Sequence, residues 1–225
     1  MPRDGTETRE RILDAAQQMI LGRGYTGMTL DQLLARVGVT KGAFFYHFKT
    51  KEDLASALLQ RFADSDARVY EETRARAERL SSDPLQQMLV FIGLFEEMFA
   101  SLTEPYPGCL FASYLYELQQ FDEKTREIIR NSFQKWRELL KEKFDTIVRV
   151  YPSRIAVDTA SLADTFTVVL EGAFITGKAL NEPRVVADQL RHFRNYIELL
   201  FGSSEKKTQT PAVSDASDSL NPASV

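Results

Sequence analysis

Cysteine is almost missing from this sequence: Cys109 is the single one in 225 residues, which excludes an intrachain disulfide and fits a reducing compartment. Histidine is nearly as scarce. His47 and His192 stand far apart, no His/Cys/Asp spacing suits a metal, and no glycine-rich phosphate loop appears, so neither a metal nor a cofactor is expected. No run of about 18 residues is apolar and free of charge, and MPRDGTETRER is polar where a signal peptide carries its apolar region. A soluble cytoplasmic protein with no membrane partner is expected. No catalytic residue is named: a nucleophilic Cys109 has no base in view, and Glu96, Glu97 and Glu171 read as solvated or paired carboxylates on helices. Strand-like alternation is absent too, which leaves an all-α fold.

The formal charge of −4 is unevenly spread. Residues 1–51 carry eight Lys/Arg against five Asp/Glu, and the remainder carries 20 against 27. The basic end also holds the most informative stretch, Thr29 to Lys51, TLDQLLARVGVTKGAFFYHFKTK. Thr29 with Gln32 forms a capping box that opens a short helix over Leu30–Arg36. Gly38 lets the chain leave that helix through positive φ, and Thr40 caps a second one over Lys41–Phe48. Thr50 with Asp53 then opens a long third helix. Two short helices across a tight turn make a helix-turn-helix, in which the second enters the DNA major groove by its N-terminal residues. Lys41 there can donate to guanine, Gly42 lets the backbone approach, and Ala43 offers a methyl to thymine. Tyr46, His47 and Lys51 are donors for phosphate, and part of the aromatic run Phe44–Phe48 must be core. Upstream, Ile12, Ala15, Ala16, Met19 and Ile20 recur at helical spacing from Thr8, with Gly22 and Gly24 ending that helix. Arg3, Arg9 and Arg11 are candidates for an arm toward the DNA backbone or minor groove, with solvated charge the default role of Arg3 and Arg11.

Gly24-Tyr25 with Thr29-Leu30, Val39-Thr40-Lys41-Gly42, the cluster Phe45-Tyr46-His47-Phe48 and Lys51-Glu52-Asp53-Leu54 resemble the TetR/AcrR family of bacterial transcriptional regulators in order and spacing. The resemblance runs from about Arg9 to Leu58. It implies DNA contact through Thr29, Thr40, Lys41, Gly42, Ala43, Tyr46, His47 and Lys51. One departure stands out, because the family usually has a tyrosine where this chain has Phe45, and a phosphate donor is thereby absent.

From Lys51 onward all periodicity is helical, beginning with a connecting rod whose early apolar face is Leu54, Leu58 and Phe62. Three parts are expected: a helix-turn-helix domain over 1–50, a helical ligand-binding and dimerisation domain over 51–202, and a disordered tail over 203–225, rich in Ser, Thr, Ala, Asp and Pro. A head of this size reads only a half-site, so a homodimer on a palindromic operator is expected. Phe166, Gly172, Ala173, Gly177, Leu190, Phe193 and Ile197 on the last two helices are the candidate dimer seam. Phe95, Phe99, Cys109, Tyr114, Trp136 and Phe166 are the candidate lining of a pocket for an apolar small-molecule inducer. Cys109 follows Pro107-Gly108 in the first turn of a helix, where free amides lower a thiol's pKa. The Pro-Gly-Cys-Leu segment resembles a branch of the family that senses reactive electrophiles, which adds a thiol-reactive inducer to the expectations. The function expected is therefore a ligand-responsive repressor. The alternative from another class is a helical small-molecule carrier, or a thiol-dependent enzyme, whose head does not bind DNA.

Overall fold

The computed structural model describes residues 5–202. The Arg3 arm and the tail expected over 203–225 lie outside the described residues. Among the described residues there are nine α-helices and no strand: α1 (Gly5–Arg23), α2 (Leu30–Val37), α3 (Lys41–His47), α4 (Lys51–Leu80), α5 (Pro84–Ala100), α6 (Leu110–Leu115), α7 (Glu123–Val150), α8 (Thr159–Leu180) and α9 (Val185–Phe201). A 3₁₀ turn, Leu118–Gln120, joins α6 to α7.

Short polar side chains start most of these helices by accepting from amides that have no partner within the helix. Thr29 accepts from Gln32 N, Thr40 from Ala43 N and Thr50 from Asp53 N. Asp83, Asp122 and Asp158 do the same for α5, α7 and α8. The box at Thr29 is only half made, since the Gln32 side chain accepts from Arg23 instead. Gly38 sits at φ 72°, and its amide donates to Leu34 O at 2.9 Å, closing α2 and setting the turn into α3. At the end of α1 only Gly24, at φ +78°, leaves the helix, while Gly22 remains inside it. That helix also begins at Gly5, earlier than the expected Thr8.

Two apolar cores result. One lies among α4, α5, α7, α8 and α9, centred on Ile92, Phe144, Phe166, Leu190 and Ile197. The other joins α1–α3 to the first turns of α4, and it also takes in Leu110, Phe111 and Tyr114 of α6, Phe121 and Ile129. The head expected over 1–50 is therefore packed as part of a larger unit. A three-helix unit of that size buries too little surface to be robust alone. Its missing wall comes from residues about a hundred positions further along.

Candidate functional site

The second short helix presents a divided face. Phe44 and Phe48 are buried in the head, whereas Lys41, Gly42, Phe45 and Tyr46 are exposed, Tyr46 to 77%. Lys41 Nζ lies 3.1 Å from Asp31, with both side chains well exposed. An exposed pair of this kind is worth under about 1 kcal/mol, so a base or phosphate can take the lysine. Thr29 and Thr40 are engaged as caps. Ala43 and His47 are partly buried, with the His47 ring edge-on to Tyr46 at 5.0 Å.

Lys51 points elsewhere. Its ammonium donates to Tyr25 O at 2.9 Å and lies 4.1 Å from the Tyr25 ring centre. Burial lowers its pKa, against the opposing charges of Glu52 and Glu117. The lysine expected at a phosphate is thus committed to holding the α1–α2 turn. Phe45, 44% exposed between Lys41 and Tyr46, is a residue that the hydrogen-bond argument passed over. It lacks a phosphate donor, but an exposed ring on this face can touch a thymine methyl.

Several clasps fix the head to the helices behind it. Glu117, just after α6, accepts from Tyr25 N at 2.7 Å, from Thr26 N at 2.9 Å and from the Thr26 hydroxyl. Burial alone would raise its pKa, but the Thr26 hydroxyl and the Thr26 and Tyr25 amides outweigh it and hold Glu117 below the usual 4.5. Tyr114 donates to Ala55 O of α4 at 3.2 Å, and Lys178 of α8 reaches Leu21 O at 3.0 Å and Pro107 O at 3.2 Å. Arg61 of α4 binds Glu10, Asp14 and Gln17 of α1.

The same helix α6 borders a cavity in the body, with about 100 Å³ of free space. Phe95, Cys109, Trp136 and Phe166, four of the expected lining residues, do line it. Phe99 does not, being packed between Tyr106 and Phe174. Tyr114 does not either. It is fully buried in the head's core, stacked on Phe121 with ring centres 4.5 Å apart.

The lining residues that were not expected include two carboxylates, Asp66 of α4 and Glu171 of α8. Asp66 accepts from the Trp136 indole N–H at 2.5 Å, and burial raises its pKa against that hydrogen bond. Burial likewise raises Glu171, although the Cys109 thiol donates to it. Cys109 itself is corrected by this geometry. It occupies the N-cap position of a helix of only six residues, and the amides of Phe111 and Ala112 do favour its thiolate. Burial and the Glu171 charge outweigh them and push the thiol well above its ordinary value.

The expected dimer seam also needs correction. Phe166, Ala173, Leu190, Phe193 and Ile197 are all buried within one chain, because the apolar stripe of α9 faces its own α5 and α8. A Cβ at Gly177 would lie 3.0 Å from Glu182 O, so that glycine serves the α8–α9 turn. Gly172 alone of the seven opens outward, with nothing within 4 Å of a Cβ placed there. Its neighbours on the outer faces are Val168 (67% exposed) and Ile175 (58%) on α8, and Tyr196 and Leu199 (64%) on α9.

A family model described as "Bacterial regulatory proteins, tetR family" matches residues 12–58, and one described as "Tetracyclin repressor-like, C-terminal domain" matches residues 84–193. The HTH-type transcriptional repressor DhaR of Mycobacterium sp. (strain GP1) is 27% identical over 133 residues, covering 58% of this chain and 62% of DhaR. The HTH-type transcriptional repressor NemR of Escherichia coli (strain K12) is 44% identical over 55 residues, covering 24% of this chain and 28% of NemR. These matches span less than two thirds of either relative. A crystal structure of a TetR-family regulator from Agrobacterium tumefaciens shares the fold, with a TM-score of 0.70 at 21% identity over 88% of this chain and all of that one.

Proposed function

The chain belongs to the TetR family of bacterial regulatory proteins, and from that premise we propose that it is a homodimeric repressor that leaves a palindromic operator when a small molecule fills the body cavity. The observation that carries this reading is the α2–Gly38–α3 unit with Lys41, Gly42, Phe45 and Tyr46 on one exposed face. Lys41, Gly42 and Ala43 read base edges, helped by Phe45. Thr29, Thr40, Tyr46 and His47 approach phosphate. Lys51 acts on DNA through the turn it holds.

The dimer pairs the outer faces of α8 and α9 about a two-fold axis, with Val168, Gly172, Ile175, Tyr196 and Leu199 at its centre. Ligand in the cavity displaces α4 and α6 from their apo positions. Because Glu117 and Tyr114 fasten those helices to the head, the separation of the two recognition helices changes and the half-sites no longer match. Among the described residues no helix is long and apolar enough to cross a membrane.

Selection of duplexes from a random pool by the purified chain tests this, followed by affinity at two salt concentrations. A palindromic consensus with strong salt dependence is expected, and Lys41→Ala should relax preference at one base step by about 1–3 kcal/mol. Absence of enrichment overturns the reading.

A further inference from the structure

Asp66 and Glu171 are the two charged residues lining the body cavity, and Tyr106 and Cys109 are the other titratable ones. Among the described residues no Lys, Arg or His lines it. Neither carboxylate has an ion pair among the described residues; each is met only by a neutral donor, the Trp136 indole and the Cys109 thiol. The arginines of the adjoining groove, Arg126, Arg130 and Arg137, are paired with Glu123 and Asp164. Apart from Ser132 and Thr167, the rest of the wall is apolar and largely aromatic, with the Phe95 and Phe166 rings against Trp136.

Carboxylates held in such a wall are costly unless a positive charge meets them. An indole face attracts cations as well. The same arrangement repels carboxylates and phosphates. With about 100 Å³ of free space, somewhat less than the roughly 150 Å³ of an engineered cavity that takes benzene, a compact ligand fits with small side-chain shifts.

We propose that the inducer is a small lipophilic cation, an aromatic or alkyl amine or quaternary ammonium, whose nitrogen sits between Asp66 and Glu171 and whose apolar part lies against Phe95, Trp136 and Phe166. This rests on the ligand-responsive reading above. Asp66 belongs to α4 and Trp136 to α7, so a cation that draws Asp66 away from the indole loosens a bond between the rod and the body. The ligand's charge, and not its bulk alone, thereby reaches the helix that carries the head.

Trp136 is the only tryptophan in the chain, so indole fluorescence reports on this cavity. The full chain is titrated with benzylammonium, with its neutral counterpart ethylbenzene and with benzoate, by Trp136 fluorescence and calorimetry. Benzylammonium should bind at least about tenfold tighter than ethylbenzene, a difference of about 1.4 kcal/mol, and benzoate should not bind. Its affinity should increase as pH rises through the ionisation of Asp66 and Glu171, while ethylbenzene is unaffected. The double variant Asp66→Asn, Glu171→Gln should lose the preference but keep ethylbenzene, which shows that the cavity is still formed. Equal or tighter binding of ethylbenzene or benzoate overturns the proposal, as does a preference that survives the double variant or no binding by any probe. An operator recovered in the duplex selection alongside one of these negative results leaves the regulator standing and removes only the cationic inducer. Absence of any bound duplex removes the regulator itself.

Discussion

The two apolar cores of this protein have opposite characters. The N-terminal one, packed around Phe44, Leu58 and Tyr114, meets the cavity only at its edge, through Phe111, and its polar rim is held by Glu117, Lys51, Arg61 and Thr caps. The body core includes a cavity beside Phe95 and Phe166 and has two carboxylates whose pKa is raised by burial. A surface that must present side chains to DNA at a fixed spacing needs a rigid support. A site that must accept a guest keeps room and unbalanced charge, and stability is given up there.

The sharpest way to break this contrast is to truncate one phenylalanine from each core. Phe44→Ala, at a fully buried position, should lose about 3–5 kcal/mol in chemical denaturation. Phe174→Ala, beside existing free space, should lose clearly less. Equal losses would show the cavity to be as tightly supported as the head.

Next in size is the clasp between the two regions. Glu117→Gln should cost about 1.5 kcal/mol, since it weakens hydrogen bonds to a charged acceptor. The pH dependence follows from its depressed pKa: the wild-type advantage is complete above the ordinary 4.5 and fades as pH falls through the lower folded value. Differential scanning calorimetry of wild type and variant down the acid limb checks both. Tyr114→Phe removes only the donor to Ala55 O and should cost about 1 kcal/mol, measured the same way.

The smallest effect has the opposite sign. Burial raises Asp66 above its ordinary 3.8, so its contribution to stability is present below that value and is lost as pH rises through the folded pKa. Asp66→Asn should therefore raise stability at neutral pH, by roughly 0.5 kcal/mol, and the gain should vanish near pH 3.8. A loss at neutral pH would mean that the indole bond outweighs the desolvation.

The head was open to reading because its signals are local. Thr29, Thr40 and Thr50 accept from amides three residues on, and the Gly38 amide donates to a carbonyl four residues back, so their spacing alone implies the turns. The dimer seam was misjudged for the converse reason. An apolar stripe such as Leu190–Phe193–Ile197 specifies burial but not whether the covering surface is in the same chain, and here α5 supplies it. Asp66 left a faint signal. It falls at the next four-residue step of the stripe Leu54, Leu58, Phe62 and before Tyr70, so an acid interrupts an inward-facing row. Its meaning depended on Trp136 and Glu171, which the fold brings from two other helices. The thiol of Cys109 was judged by its own helix, whereas its strongest influences, burial and Glu171, are long-range.

The shared core around Leu110, Phe111, Tyr114, Phe121 and Ile129 also bears on how such proteins can recombine. A chimera cut at Lys51 would give a foreign head a wall shaped for another, and would leave Glu117 facing the wrong turn. The unit that can be exchanged between relatives is discontinuous: residues 5–60 together with residues 110–129. New operator specificities should thus arise more readily by substitution on the exposed face of α3 than by swapping whole heads.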